Sequence, residues 1–243
     1  MRLLPGYIKR KVEEWKDSVY NSKYKPFKMD LYFKIGRNGN DVLAFDSVIS
    51  HYTFLHVLGE DAYNLSYDHD ENIKIPIPLS KVQWEDTFFF VCGWFPSIPE
   101  KTTFWTKRFE KNLLNSVKNK RVSIRQGQFR SYQMPTLYDD RKHYVIWGKG
   151  DINLIKKILP NPFWIGKKTS IGFGECEYTI KEQNQSNGLM FRNILQRPLP
   201  IGFVKSRHWK IKNGNSIYRP ICPPYFGRFA KEIECWDVGT ELE

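Results

Sequence analysis

FKMDLYFKI, residues 27–35, alternates Phe27, Met29, Leu31, Phe33 and Ile35 with Lys28, Asp30, Tyr32 and Lys34. That period of two predicts a strand with one face in a core and the other at the surface. GRNGN then ends it. On the N-terminal side, PGYIKRKVEEWKDSVY sets Pro5 ahead of Ile8, Val12, Trp15 and Val19, a spacing that predicts an amphipathic helix with a basic polar face. On the other side, DVLAFDSVISHYTFLHVLG carries Leu43, Val48, Ile49, Tyr52 and Leu55 at near-helical spacing. Asn40 or Asp41 is available as a cap there, and Gly59 as a stop.

Further along, the segment from Ile73 to Leu79, with IPIPL, is strand-like, but its two prolines restrict it to an edge or to a loop laid on the core. WEDTFFFVCGWF is apolar on both faces, as a central strand would be. HYVIWG predicts a short strand, GDINLIKKILP a helix capped by Asp151 and ended by Pro160, and ECEYTI a last clear strand. With residues 97–142 set aside, the order over 27–182 is strand, helix, strand, strand, helix, strand. This is the βαββαβ order of an α+β, ferredoxin-like domain. Residues 97–142 form an insertion between its two middle strands. Residues 1–26 precede the domain, and 183–243, with RPLP, NGN and CPPY, make a turn-rich extension packed on it.

A length of 243 residues allows one large domain or two small ones, and 41% hydrophobic with 16% aromatic residues argues for a folded chain. No apolar run approaches the ~18 residues of a membrane span, and MRLLPGYIKRKVEEW does not fit a signal peptide, so a cytoplasmic protein away from membranes is expected. The four cysteines are scattered without a CxxC pair, which favours reduced thiols in the core over a zinc site.

Charge is unevenly placed. Residues 101–170 carry 16 basic and 4 acidic side chains, a net of +12 that equals the whole chain's, while residues 38–100 are acidic. A block of that sign and density suits a polyanion. Within it, Lys107, Arg108, Arg121, Arg125 and Arg130 interleave with Trp105, Phe129 and Tyr132. Cations for phosphates and flat rings for bases are what single-stranded nucleic acid requires. VSIRQGQFRSYQM alternates so that it can form a ribbon with polar side chains on either face. The bland alternative is an exposed basic hairpin whose rings pack its own base.

IGKKTSIGFG, residues 165–174, follows the second helix and opens the last strand. A phosphate-binding loop of the GxxxxGK[ST] kind needs the reverse order, strand then helix, and a dinucleotide fingerprint needs a third glycine. Both fail. What remains is a loop whose glycines allow close backbone approach, with Lys167, Lys168, Thr169 and Ser170 suited to phosphate and Phe173 placed to stack on a base. A plain helix-to-strand turn with surface lysines is the competing reading.

LAFDSVISH, FWTKRFEKN through RQGQFRSYQMP, IGKKTSIGFGE, and RPLP with YRP and PPY together resemble the repeat-associated mysterious protein (RAMP) superfamily of CRISPR effectors. Within it, the chain is most similar to the type IV subunit that caps the five-prime handle of the CRISPR RNA, with type III and type VII counterparts left open. The N-terminal helix lies outside the match. The resemblance implies a structural RNA-binding subunit whose glycine loop (Lys167, Lys168, Ser170, Gly172, Phe173, Gly174) and inserted basic thumb hold the handle. It also implies as partners CRISPR RNA, a repeated backbone subunit, a large subunit and target DNA or RNA; no cofactor and no metal are expected.

One CRISPR subtype uses a subunit of this kind as its processing nuclease. Lys142-His143-Tyr144 offers residue types for metal-independent general acid–base work on a 2′-OH. Neighbours on a strand face opposite ways, however, so His143 is expected to point away from Lys142 and Tyr144 and to lie near RNA instead. A generic single-stranded RNA-binding protein is the third reading.

Overall fold

The computed structural model describes residues 5–38, 42–62, 75–96, 101–107, 132–166, 172–223, 225 and 230–243. In chain order the first part comprises α1 (Gly6–Tyr20), β1 (Lys25–Phe33), β2 (Arg37–Asn38), β3 (Leu43–Ala44), α2 (Phe45–Leu58), β4 (Lys81–Trp84), β5 (Thr87–Phe90) and β6 (Trp94–Phe95). There follow β7 (Lys101–Lys107), β8 (Tyr132–Asp139), β9 (His143–Gly150), α3 (Ile152–Ile158), β10 (Phe163–Trp164) and β11 (Glu175–Glu182). The fold is mixed α+β, and every strand pairing among the described residues is antiparallel.

β1 lies inside a sheet of order β10-β11-β1-β9. Its alternation works as expected: Phe27, Met29, Leu31 and Phe33 are buried, and Met29 faces Ile146 on one side and Ile180 on the other. Burying such side chains stabilises by about 1.5–3 kcal/mol each, which fixes the register, because a slip of one residue would bring Lys28 and Asp30 inside. The alternation stops at Ile35, which is exposed beyond the strand end. Gly36 turns the chain there at φ +126°, where a Cβ would collide with the Asp139 carbonyl.

The helices cover the apolar face. α1 buries Ile8, Val12, Trp15 and Val19, and the Trp15 indole donates to the Pro76 carbonyl at 2.7 Å. α2 ends at Gly59 with φ +61°, as expected. It starts at Phe45, after Ala44, with no side-chain cap, and the expected caps Asn40 and Asp41 fall outside the described residues. Asp151 caps α3 by accepting from the Asn153 and Leu154 amides.

WEDTFFFVCGWF differs from its expected form as one central strand. Trp84 pairs with Thr87, leaving Glu85 and Asp86 as a two-residue turn with Glu85 at φ +50°. Two adjacent carboxylates favour water over a sheet interior, so they close a hairpin. The remainder reaches β9 through a single bridge, Cys92 to Gly148, with two hydrogen bonds at 2.8 Å, from the Gly93 amide to the Trp147 carbonyl and from the Lys149 amide to the Val91 carbonyl. IPIPL lies on the core as expected, with Ile77 and Leu79 buried and Leu79 bridged to Gly150.

The extension forms β12 (Met190–Phe191), β13 (Ile194–Leu195), β14 (Leu199–Pro200), α4 (Ile201–Ser206), β15 (Ile211–Asn213), β16 (Ser216–Pro220), β17 (Glu232–Trp236) and β18 (Glu241–Leu242). They make two small sheets, β12-β13-β18-β15 and β14-β17-β16. A second core, built on Phe89, Leu195, Leu199, Phe203 and Cys235, joins them to the β4–β5 hairpin. Cys92, Cys176 and Cys235 are buried free thiols, as expected, and burial pushes the latter two up to about 12.

Candidate nucleic-acid interface

The glycine loop and the inserted hairpin meet at the end of β1. β7 and β8 pair over seven rungs from Lys101↔Tyr138 to Lys107↔Tyr132, and β8 also pairs with β2 at Arg37↔Asp139. The insertion is thus rooted on the segment that follows Gly36. Next to that root, the Gly174 amide donates to the Gly36 carbonyl at 2.8 Å, and the Ile165 amide to the Gly174 carbonyl at 2.9 Å. Gly166, Gly172 and Gly174 all have positive φ, and a Cβ on Gly174 would collide with the Ile165 carbonyl oxygen. Only glycine closes this loop without strain.

Of the expected binding residues, Lys107 and Tyr132 share the last described rung of the hairpin. Arg108, Arg121, Arg125, Phe129, Arg130, Lys167, Lys168 and Ser170 lie outside the described residues. Phe173 requires a correction. The ring offered to a base is only 7% exposed and packs on Tyr138 at 5.4 Å between centroids, so it anchors the loop to the hairpin root. Apolar burial next to Tyr138 outweighs the freedom that flanking glycines suggested.

Lys142 and His143 part company. The Lys142 ammonium donates to the carbonyls of Lys34 and Ile35 at 2.8 and 2.7 Å and so ties down the turn at Gly36. Tyr144 points into the core, its hydroxyl bonded to Asp139. His143 points the other way, as expected, onto the open face of the sheet, where its Nε2 lies 3.0 Å from Asp30 Oδ1. Its ring stacks on Tyr32, its cross-strand partner, at 4.9 Å and 16° between planes. Lys28 completes the group, 2.9 Å from Asp30. Partial burial pushes the Asp30 carboxyl up, but hydrogen bonds from Lys28 and His143, with their charges, outweigh it and hold the group below its ordinary value. Sequence reasoning missed Lys28, Asp30 and Tyr32, because only strand register brings them to His143.

A second group of charges lies between the sheet domain and the extension. Arg197 and Asp46 are both fully buried, with Nη1 to Oδ2 at 3.3 Å, and the Tyr225 hydroxyl donates to the same Oδ2 at 2.5 Å. Arg197 also donates to the carbonyls of Phe90 and Ile221, and its guanidinium lies over the Phe89 and Trp94 rings at 5.3 and 5.2 Å. Burial pushes the Asp46 carboxyl up, and the Arg197 charge and the Tyr225 hydrogen bond pull against it. LAFDSVISH, RPLP and PPY thus contribute one residue each to a single buried cluster.

Compared with models of known protein families the chain matches none, and no curated protein matches it. No helix among the described residues is long and apolar enough to cross a membrane.

Proposed function

We propose that this chain is a non-catalytic RNA-binding subunit of a class 1 CRISPR effector that grips the five-prime handle of the guide and seats it against the repeated backbone subunit and the large subunit. The observation that carries this is the meeting of the glycine loop with the root of the basic hairpin at Gly36. The insertion and the loop, each suited to phosphates by composition, are then rooted together at the end of β1. The strand order β11-β1-β9, with Cys92 bridged to the outer edge of β9, supports a ferredoxin-like frame of split βαβ units. A structural rather than a catalytic role is supported by the use of the Lys142 ammonium on two carbonyls and by the burial of Tyr144, which leave His143 without either neighbour as a partner in proton transfer.

The test is co-expression with a CRISPR array and the neighbouring subunits. Copurified RNA should carry one common five-prime handle, and handle affinity should fall by at least about tenfold between roughly 50 and 200 mM salt, because phosphate contacts release counterions. Lys167→Ala with Lys168→Ala should weaken handle binding without lowering the melting temperature. RNA with unrelated five-prime ends would overturn the handle assignment, and shortened precursor RNA made by the purified chain alone would establish the endoribonuclease instead.

A further inference from the structure

The open face of the sheet carries groups that the loop and hairpin do not use. Tyr32 and His143 sit on the last rung of the β1–β9 ladder, stacked and about half exposed. Beside them a cleft of about 350 Å³ runs between the sheet and the extension, lined by Pro96, Arg141, His143 and Val145 on one side and by Ile194 and Gln196 on the other. That volume falls at the lower end of the ~300–1,000 Å³ typical of small-ligand pockets. Ile194 is itself an exposed apolar side chain, facing the cleft from the extension.

The chemistry of the walls is specific. Arg141 is a permanent cation that makes no ion pair among the described residues, and its guanidinium lies 5.1 Å from the Tyr144 ring. Asp30, held ionised, offers only lone pairs, so the His143 Nε2 facing it carries a hydrogen. A flat ring, an amide at Gln196 and a cation without an ion pair among the described residues match a planar, hydrogen-bonding ring joined to an anion. An unpaired nucleotide has that composition. The place also fits, since Tyr32 lies four residues before Gly36, a reach of about 13 Å along extended chain.

We propose that this cleft binds one unpaired nucleotide of the RNA, its base stacked on the His143 ring, which Tyr32 backs, and its phosphate on Arg141. The assignment rests on the RNA-binding reading above and adds a base-holding subsite to it. The extension thereby becomes one wall of an RNA site, in addition to being packed on the domain.

The experiment is fluorescence anisotropy of the full chain with a labelled single-stranded RNA octamer, titrated at several salt concentrations. His143→Leu should weaken binding by roughly 5- to 100-fold with the melting temperature unchanged. Arg141→Gln should lower the slope of log affinity against log salt by about one, a readout that a purely structural arginine would not move. If His143→Leu lowers melting, Ile194→Trp decides, because it fills the cleft from the far wall and leaves the sheet untouched; it should weaken binding likewise. A loss on Lys167→Ala with Lys168→Ala, but none on Ile194→Trp or Arg141→Gln, would overturn the cleft and leave the loop as the site. No loss in any variant would overturn both.

Discussion

Asp46 and Asp30 each sit with a cation and a tyrosine close by, and the two groups do opposite things. Around Asp46 the charges are kept from solvent: Arg197 and Asp46 are fully buried, and Asp46 Oδ1 and Arg197 Nε have no hydrogen-bond partner among the described residues. Around Asp30 the His143 side chain is 49% exposed. Burial raises the cost of an uncompensated charge, so the first group can only be a fastener between α2 and the extension. Exposure leaves the second with spare donors, acceptors and ring faces, so it adds little to stability and can meet a ligand. Similar side-chain chemistry is thus locked away in one place and left available to a ligand in the other by access to water.

The sharpest way to break this contrast is Arg197→Leu. The variant leaves Asp46 in a dry site with its guanidinium partner gone, and should cost about 3–5 kcal/mol in urea unfolding. A loss below ~1 kcal/mol would mean that water reaches the cluster. Replacing Asp46 and Arg197 together by leucine should cost less than Arg197→Leu alone, because no orphaned charge remains.

Gly174→Ala should follow at about 1–3 kcal/mol, since φ is +79° and the new Cβ would meet the Ile165 carbonyl. The site of damage matters more than its size. Loop and hairpin root should separate while both clusters persist, so RNA affinity should drop and Tyr225 should remain protected. Tyr225→Phe is milder, at about 1 kcal/mol, because Arg197 still serves the same oxygen of Asp46.

These positions also show what could be read without coordinates. β1 was legible because its period of two is local, and α3 because Asp151 stands directly before it. The turn at Glu85–Asp86 was present in the sequence too, as two adjacent carboxylates within an apolar run, but the run's hydrophobicity obscured it. Phe173 could not be read. Its burial depends on Tyr138, which belongs to a different strand and is brought near by the insertion's return. Nor could the Arg197–Asp46 pair, 151 positions apart, because no periodicity announces a buried ion pair. The opposed faces of His143 and Tyr144 followed from strand geometry alone, whereas the Asp30 and Tyr32 beside His143 required the register.

Asp30→Asn is the smallest effect and tests the other half of the contrast. Lys28 and His143 are both more than a third exposed, so at neutral pH the loss should stay below about 1 kcal/mol. Its pH dependence carries the information. Asp30 is held below its ordinary value in the folded state, so the unfolded chain binds its proton first as acid is added. The stabilisation is therefore complete above the unfolded aspartate value near 3.9, and it fades as the pH falls through the lower, folded value. Wild type should lose stability through that window slightly faster than Asp30→Asn, and the two should converge at the acid end. Identical acid profiles would show that Asp30 does not hold His143 in solution, and the ring pair would then lack the support that its stacked geometry implies.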